Sequence, residues 1–214
     1  MNNLEILYED NHLIVVVKKP NVLSQADNTK DPDMLSLIKE YLKEKYQKPG
    51  NVFLGLVHRL DRPVGGIMVF AKTSKAASRL SKQITEGQMQ KSYYAVVHGY
   101  LENKIGTFKD KIEKTEDKKV LLNTPNGKDA ILNYRVIAQK DNLSLVDIEL
   151  ITGRYHQIRV QFASRNHPLY GDQLYGLQDK KQIALFAYKL SFYHPTTKEK
   201  LVFEKRPAGD IWQF

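Results

Sequence analysis

The stretch that decides the fold is LVHRLDRPVGGIMVFAKT, residues 56–73. It holds two apolar runs separated by a turn from Asp61 to Gly66, where proline and paired glycines exclude a helix. Asp61 is the only acidic residue between Glu44 and Glu86, an interval that carries eight lysines and arginines. The stretch therefore predicts a strand, a turn and a second strand, with one carboxylate in a basic setting at the turn.

The residues alone leave two interpretations of Asp61 open. In the first, Asp61 closes the turn, as aspartate commonly does before proline and glycine, or it forms an ordinary ion pair with Arg59 or Arg62. In the second, the nearby guanidinium groups keep the carboxylate ionised, and it acts as a nucleophile or base toward a bound polyanion. The basic neighbours would then also anchor phosphate groups.

The charge balance favours a polyanionic partner. Lysine and arginine number 33 against 24 acids, which gives a net charge of +9, and neutralising phosphates releases counterions. A second acid-free segment runs from Leu150 to Gly171 and contains Arg154, His156, Arg159, Arg165 and His167. Two acid-free basic segments that lie far apart in the sequence predict two walls of one anionic site.

Several classes of function are disfavoured by what the sequence lacks. There are no cysteines, which excludes disulfides and thiolate chemistry. The histidines are scattered without metal-ligand spacing, so we expect no metal site. No phosphate-binding glycine motif occurs. The N-terminus lacks a signal-peptide pattern, and no apolar run approaches the roughly 20 residues of a membrane span. We therefore expect a cytoplasmic protein with no membrane partner.

The hydrophobic periodicity predicts an α+β protein, because strands group more often than they alternate with helices. The predicted strands are 4–17, 51–60, 66–72, 92–101, 130–139, 143–150, 184–194 and 199–206. Two helices are predicted within 31–46 and 73–87, and a third follows Gly153. The charged segment 102–128 is expected to hold short strands at best and to close in a TPNG turn. No linker or repeat divides the chain.

The long motifs of this chain resemble those of the RNA pseudouridine synthases, specifically the RluA-type group that modifies ribosomal and transfer RNA. HRLDRPVGGIMVFAKT resembles the signature of that family. The likeness extends in order over nearly the whole chain, through YEDNHLIVVVKKP, KSYYAVVHG, LITGRYHQIRVQFASRNHPLYGDQLYG and LFAYKLSFYHPTTKEKLVFEKRP. Such long motifs in the right order are far more specific than a single short pattern.

The resemblance implies three catalytic residues. Asp61 falls on the catalytic aspartate, and Tyr93 falls on the tyrosine that stacks on the target base and assists proton removal from its carbon 5. Arg159 falls on the basic residue that pairs with the aspartate. From the pattern alone, Tyr93 would be a buried strand tyrosine and Arg159 a helix-surface arginine. The resemblance also places Arg59 in the space of the flipped nucleotide, and the other expected RNA-binding residues are His58, Arg62, Arg154 and His156.

The resemblance also implies the architecture and the function. We expect residues 1–214 to form a single catalytic domain, without a separate N-terminal RNA-binding domain, built on a central mixed, mainly antiparallel sheet flanked by helices. It implies isomerisation of specific uridines in ribosomal or transfer RNA by a monomer that needs no cofactor or metal. Two alternatives remain open: a non-catalytic RNA-binding or ribosome-assembly protein on the same scaffold, and a glycosylase that releases the base.

The chain departs from the family pattern at a few positions, namely Val64, Gly65, Tyr155 and Phe186. None of these departures removes a reacting group. They therefore bear on the RNA target rather than on the activity. From the residues alone, Asp172 in YGDQLYG is expected to brace the tyrosine-rich turn in which it lies.

Overall fold

The structure is a computed structural model that describes residues 4–116 and 119–214. The described strands are β1 (Glu5–Glu9), β2 (Leu13–Lys18), β3 (Gly55–Leu56), β4 (Gly65–Ala71), β5 (Gln90–His98), β6 (Ile105–Lys114), β7 (Val120–Leu122), β8 (Lys128–Lys140), β9 (Leu143–Leu150), β10 (Leu185–Tyr193) and β11 (Lys200–Glu204). The helices are α1 (Met34–Lys45), α2 (Ser74–Thr85), α3 (Gln157–Ala163) and a short 3-10 helix at Asp210–Trp212. The predicted α+β class is confirmed.

The chain divides into two compact units. The first unit contains the residues up to Met89 together with Lys189–Lys205. The second unit contains Gln90–Tyr188 and the residues from Arg206 onward. Strand β10 therefore begins in the second unit and ends in the first.

The first unit is built on two fully buried strands, β2 and β4. Its strand order is β1-β2-β4-β10, with β3 added to β4 and β11 added to β10. The β1–β2, β2–β4, β3–β4 and β10–β11 pairs are antiparallel, which confirms the mainly antiparallel sheet. Helix α2 packs Ala76 and Leu80 into the same core as Val15, Val69 and Phe192. This core supports the turn that carries Asp61 at the start of β4.

Both long helices of the first unit begin where the sequence places a capping side chain. Asp33 accepts a hydrogen bond from the backbone N–H of Ser36 at the start of α1, and Thr73 accepts one from Ala76 at the start of α2. A side-chain oxygen at this position satisfies an N–H group that would otherwise have no partner in the helix. The two predicted helices are confirmed, with ends within three residues of the predicted bounds.

The second unit is an antiparallel sheet in the order β5-β9-β8-β6-β7. The predicted hairpin of β8 and β9 is confirmed, and it turns at Asp141 and Asn142, which both have positive φ angles. Helix α3 covers this sheet by packing Val160 against Ile112 and Ala130. The sheet thus positions the short helix that contains Arg159.

Two predicted strands are wrong in extent. The expected strand 4–17 is a hairpin of β1 and β2, because Asp10 Oδ1 accepts from the backbone N–H groups of His12 and Leu13, both at 2.7 Å, and closes a turn. The expected strand 51–60 contains only the two residues of β3. Backbone groups of its later residues have other partners. The N–H of Leu60, for example, donates to the side chain of Ser24.

The expectation of short strands at best within residues 102–128 is also wrong. Strand β6 runs for 10 residues and pairs with β8 from Ile105 to Ile112. Its Phe108 and Ile112 are buried, and the three residues between them are all charged, with Lys109 and Lys111 exposed and Asp110 half-buried. This alternation satisfies a half-buried strand despite the high charge. The TPNG turn is confirmed, with the N–H of Gly127 donating to the carbonyl of Thr124, while residues 117–118 lie outside the described part of the chain.

Candidate active site

Asp61 lies in a tight turn that leads directly into β4. The backbone N–H of Val64 donates to the carbonyl of Asp61 at 3.0 Å, while the Asp61 residue as a whole is half-buried. The main chain of Asp61 therefore closes this turn.

A buried lysine holds this turn from the side of β2. Lys18 has no solvent-exposed surface, and its Nζ donates to the carbonyls of Val22 at 2.6 Å, Arg62 at 3.0 Å and Lys19 at 3.2 Å. Burial lowers the pKa of Lys18 to about 7, against the opposing attraction of Asp61, which raises that pKa. The lysine therefore fixes the backbone next to Asp61 and adds positive potential there.

Further hydrogen bonds join the turn to the segment that follows β2. Ser24 Oγ donates to the carbonyl of Leu60 at 2.8 Å and accepts from the N–H of Leu60 at 3.1 Å. The N–H of Asn21 donates to the carbonyl of Arg62 at 2.8 Å. The residues on both sides of Asp61 are thus held in place, which limits the conformations open to its side chain.

The three predicted RNA-binding residues around Asp61 have different surroundings. His58 Nε2 accepts from the backbone N–H of Val69 at 3.1 Å, so this imidazole braces β4. Arg59 is exposed. Arg62 forms a surface ion pair with Asp31 at 2.7 Å. Arg59 is therefore the basic side chain of this group that a ligand in solution reaches most readily.

In the second unit, Tyr93 is a buried residue of β5, with 6% of its surface exposed. It lies opposite Ile148 of β9. Its neighbour Tyr94 points to the other face of the strand, where it stacks on Tyr188 with ring centroids 3.9 Å apart. Burial and the nearby Asp147 raise the pKa of Tyr188. The pattern-based expectation of a buried strand tyrosine at position 93 is confirmed.

Arg159 forms a bidentate ion pair with Asp172 inside the second unit. Arg159 Nε and Nη2 donate to the two carboxylate oxygens at 2.8 Å and 2.7 Å, and only 6% of Arg159 and 1% of Asp172 are exposed. Burial raises the pKa of Asp172, but the hydrogen bonds and charge of Arg159 outweigh it and lower the pKa below its ordinary value. The expectation of a helix-surface arginine is wrong, because this carboxylate draws the guanidinium inward.

Asp172 also organises the tyrosine-rich turn, as the sequence predicted. Its Oδ1 accepts from the N–H of Leu174 at 2.9 Å and of Tyr175 at 3.1 Å. The ring of Tyr175 lies under the Arg159 guanidinium, 5.2 Å from its centroid, and the Tyr175 hydroxyl is 2.9 Å from His156 Nδ1. Two predicted residues, His156 and Arg159, are thereby brought together through Tyr175.

Arg154, the remaining predicted RNA-binding residue, lies at the turn before α3. Its Nε donates to the carbonyl of Asp129 at 2.8 Å, and its backbone N–H donates to Gln157 Oε1 at 3.0 Å. The residue is half-buried. The side chain is therefore partly committed to holding the turn against β8.

Lys18 is a site residue that was not predicted from the sequence. The available signal was its position: it directly follows LIVVV, the run predicted to be buried on both faces, so a residue that continues this strand is also buried. A buried ammonium needs acceptors; the loop after β2 offers the carbonyls of Lys19 and Val22, and the turn that carries Asp61 offers that of Arg62. That inference requires knowing that β2 and β4 are adjacent.

Among residues 4–116 and 119–214, no group of three or more histidines, aspartates and glutamates is arranged to hold a metal ion. Over the same residues, none of the helices combines the length and the apolar character that crossing a membrane requires.

Comparison with known proteins gives a consistent result. A family model described as RNA pseudouridylate synthase matches residues 12–164. The uncharacterized RNA pseudouridine synthase YhcT of Bacillus subtilis is 36% identical over 214 residues, which cover 97% of this chain and 70% of that protein. The ribosomal large subunit pseudouridine synthase D of Zymomonas mobilis is 31% identical over 223 residues, with 97% and 70% covered.

The fold is also found among solved structures. Human RNA pseudouridylate synthase domain containing 4 matches with a TM-score of 0.79 and 22% sequence identity, over 94% of this chain and 88% of the human chain. At this identity the likeness concerns the fold alone.

Proposed function

The chain belongs to the RNA pseudouridylate synthase family, and from this premise we propose that Asp61 is the carboxylate with which it converts uridine to pseudouridine in structured RNA. Membership of the family makes the chain an RNA pseudouridine synthase, an isomerase. The assignment of Asp61 is supported above all by one observation: the buried Lys18 ammonium donates to the carbonyl of Arg62, in the turn that carries Asp61. A reacting group must be held in a fixed position, and this lysine restrains it.

The reaction moves one glycosidic bond without changing the composition of the RNA. The bond from C1′ of the ribose to N1 of uracil breaks, the base rotates, and a bond from C1′ to carbon 5 forms. The proton on carbon 5 is then lost, and N1 gains one. An ionised carboxylate serves either of two routes. It can add to C1′ and be displaced again, or it can remove a ribose proton to give a glycal intermediate.

Tyr93 and Arg159 are proposed as further catalytic residues, on the resemblance of KSY and HQIR to the family motifs. A base in folded RNA has to leave its stack before it can react, and an aromatic ring contributes about 1–3 kcal/mol of stacking per base. The buried ring of Tyr93 suits that role. Arg159 is supported by its fixed orientation, since Asp172 binds its guanidinium at two points.

We propose that basic side chains bind the RNA. Arg59 is exposed two residues before Asp61, and we propose that it fills the space left by an extruded nucleotide. The other proposed RNA-binding residues are His58, Arg62, Arg154 and His156. We propose that the substrate is ribosomal or transfer RNA, in line with the ribosomal relative named above. We propose further that the chain acts in the cytoplasm as a monomeric single catalytic domain, without a cofactor.

The product identifies the function. Uridine-labelled ribosomal and transfer RNA are incubated with the protein, digested to nucleosides and separated by chromatography. We expect labelled pseudouridine. Free uracil would identify a glycosylase instead, and binding of RNA without either product would identify a non-catalytic RNA-binding protein.

A further inference from the structure

The turn before α3 carries a rigid aromatic platform that the proposed catalytic roles do not use. The ring of Tyr155 stacks on the ring of His156, with centroids 3.8 Å apart and planes 21° from parallel. His156 adopts the left-handed backbone region, with φ of 53° and ψ of 24°. Few residues other than glycine adopt this region, and here it places two successive rings on top of each other.

This platform is tied to a buried ion pair. His156 Nδ1 lies 2.9 Å from the hydroxyl of Tyr175, and the rings of His156 and Tyr175 meet edge to face. The Arg159 guanidinium lies over the ring of Tyr175, and Arg159 is in turn fixed by Asp172. A ring supported in this way loses little conformational entropy when a ligand stacks on it.

The ammonium group of an exposed lysine also packs on the Tyr155 ring. The Nζ of Lys114 lies 4.4 Å from the centroid of the Tyr155 ring, and Lys114 is an exposed residue at the end of β6. An exposed cation–π contact is worth a factor of about 2–5 in an equilibrium constant. Stacking of a base on an aromatic ring is worth a factor of about 5–150. A nucleobase therefore displaces the ammonium from the ring face.

We propose that Tyr155 and Lys114 form a binding site for one unpaired nucleotide of the RNA, with its base stacked on Tyr155 and its phosphate bound by Lys114. The displaced ammonium needs to move only within the reach of its own side chain to contact that phosphate. An unpaired nucleotide is required because a base in the interior of a duplex already has both faces stacked. The inference rests on the proposed function for its RNA substrate, and it adds a contact outside the reacting uridine.

The binding test uses a fluorescein-labelled ten-nucleotide oligouridine and the same strand paired with oligoadenylate. Fluorescence anisotropy gives the dissociation constants for the wild type and for Tyr155→Leu and Tyr155→Phe. We expect Tyr155→Leu to weaken binding of the single strand about tenfold, and Tyr155→Phe, which keeps the ring, to bind within about twofold of wild type. Binding of the duplex should not distinguish the variants. Tyr193→Leu, which removes an exposed tyrosine of β10, is the matched control and should bind as wild type does.

The phosphate contact is tested by salt. Each phosphate neutralised contributes about 0.7 to the slope of log affinity against log salt for a single strand. Lys114→Gln should lower that slope by about 0.7, whereas Lys109→Gln, at another exposed lysine of β6, should leave it unchanged. Equal slopes for the wild type and Lys114→Gln would remove Lys114 from the site.

A cross-linking experiment needs no variant and so remains decisive even if Tyr155→Leu folds poorly. Oligouridine that contains 4-thiouridine is bound to the wild-type protein, irradiated and digested with trypsin, which cleaves after Arg154 and Arg159. We expect the cross-link in the peptide of residues 155–159, and fragment-ion mass spectrometry should place it on Tyr155 rather than on His156 or Arg159. Its absence there would overturn the proposal, and so would unchanged binding by a folded Tyr155→Leu or an equal loss in Tyr155→Phe. Absence of pseudouridine with Tyr155-dependent binding intact would instead refute the proposed function and leave this site standing.

Discussion

Replacing Asp172 with asparagine isolates the charge of the buried pair with Arg159. The asparagine Oδ1 can still accept from the N–H groups of Leu174 and Tyr175, which bind Oδ1 in the wild type. The oxygen that accepts from Arg159 Nε becomes an NH2 group, so two donors face each other. With 6% of Arg159 and 1% of Asp172 exposed, solvent cannot compensate. We expect the free energy of unfolding to fall by about 3–5 kcal/mol, the cost of breaking a buried pair.

The double variant tests whether the stability losses of the single variants come from the interaction between the two charges. In Arg159→Met with Asp172→Asn, no charge is left buried without its partner. The summed losses of the two single variants should therefore exceed the loss in the double variant, by an interaction energy in the range of about 0.5–3 kcal/mol found for contacting residues.

The pH dependence follows from the direction of the pKa shift. Burial raises the pKa of Asp172, but Arg159 lowers it by a larger amount. The folded-state pKa therefore lies below the ordinary value of an aspartate. A carboxylate with a depressed pKa binds fewer protons in the folded state. Its stabilising contribution is therefore complete above the ordinary aspartate pKa of about 3.9 and is lost as the pH falls through the lower folded value. The difference between wild type and Asp172→Asn should shrink below about pH 4.

The assay is urea denaturation followed by circular dichroism, at pH 7 and at intervals down to pH 3. The matched control is Glu204→Gln, which breaks the exposed ion pair with Lys189 and should cost less than about 1 kcal/mol. A loss for Asp172→Asn no greater than that of Glu204→Gln, or strictly additive losses in the double variant, would refute the claim that this pair stabilises the second unit.

Three further predictions concern the first unit and the RNA. Lys18→Met should lower both stability and turnover, since three backbone carbonyls lose the ammonium as a donor. Those of Lys19 and Arg62 keep a backbone N–H donor, but the carbonyl of Val22 is left unsatisfied, at a cost of about 1–3 kcal/mol. Urea denaturation and pseudouridine kinetics measure this, and Lys19→Met, at the exposed neighbour, should match the wild type in both. Activity on pre-folded RNA should survive excess EDTA, and a loss would reveal a metal site. The affinity for RNA, measured by filter binding from low to moderate salt, should fall steeply, because lysines and arginines replace counterions; a flat response would contradict phosphate binding.

The sequence predicted those parts of the fold in which one local signal dominates. Helix α2 combines a capping threonine with apolar residues at helical spacing, and β4 is an apolar run bounded by a glycine turn. The expectation of a strand at 51–60 was wrong because backbone groups of this segment bind side chains distant in the sequence, such as that of Ser24. The strand at residues 105–114 was not predicted at its full length, because its many charged residues lower the mean hydropathy. Its buried hydrophobic residues are Phe108 and Ile112.

In the candidate site as well, residues with a local signal could be proposed from the sequence, whereas their tertiary partners could not. Asp61 could be proposed from the sequence because it is an isolated acid in a motif that resembles the family signature. The partners that fix the site are non-local: Lys18 meets Arg62 across adjacent strands, and Arg159 meets Asp172 across the turn after α3. Periodicity predicted Arg159 on a helix surface, whereas every residue of α3 from Gln157 to Phe162 is buried. A pairing between side chains distant in the sequence depends on tertiary contacts, which one sequence does not reveal.

The central claim is that Asp61 is the reacting carboxylate, and one substitution tests it directly. Pseudouridine formed per enzyme is measured on the same labelled RNA for the wild type and for Asp61→Asn, a change that keeps the size of the side chain and removes its charge. RNA affinity is measured in parallel, as evidence that the variant is folded. We predict pseudouridine from the wild type and none from Asp61→Asn, with RNA affinity within a few fold of wild type, because binding depends on the basic side chains. Substantial turnover by Asp61→Asn would contradict the claim.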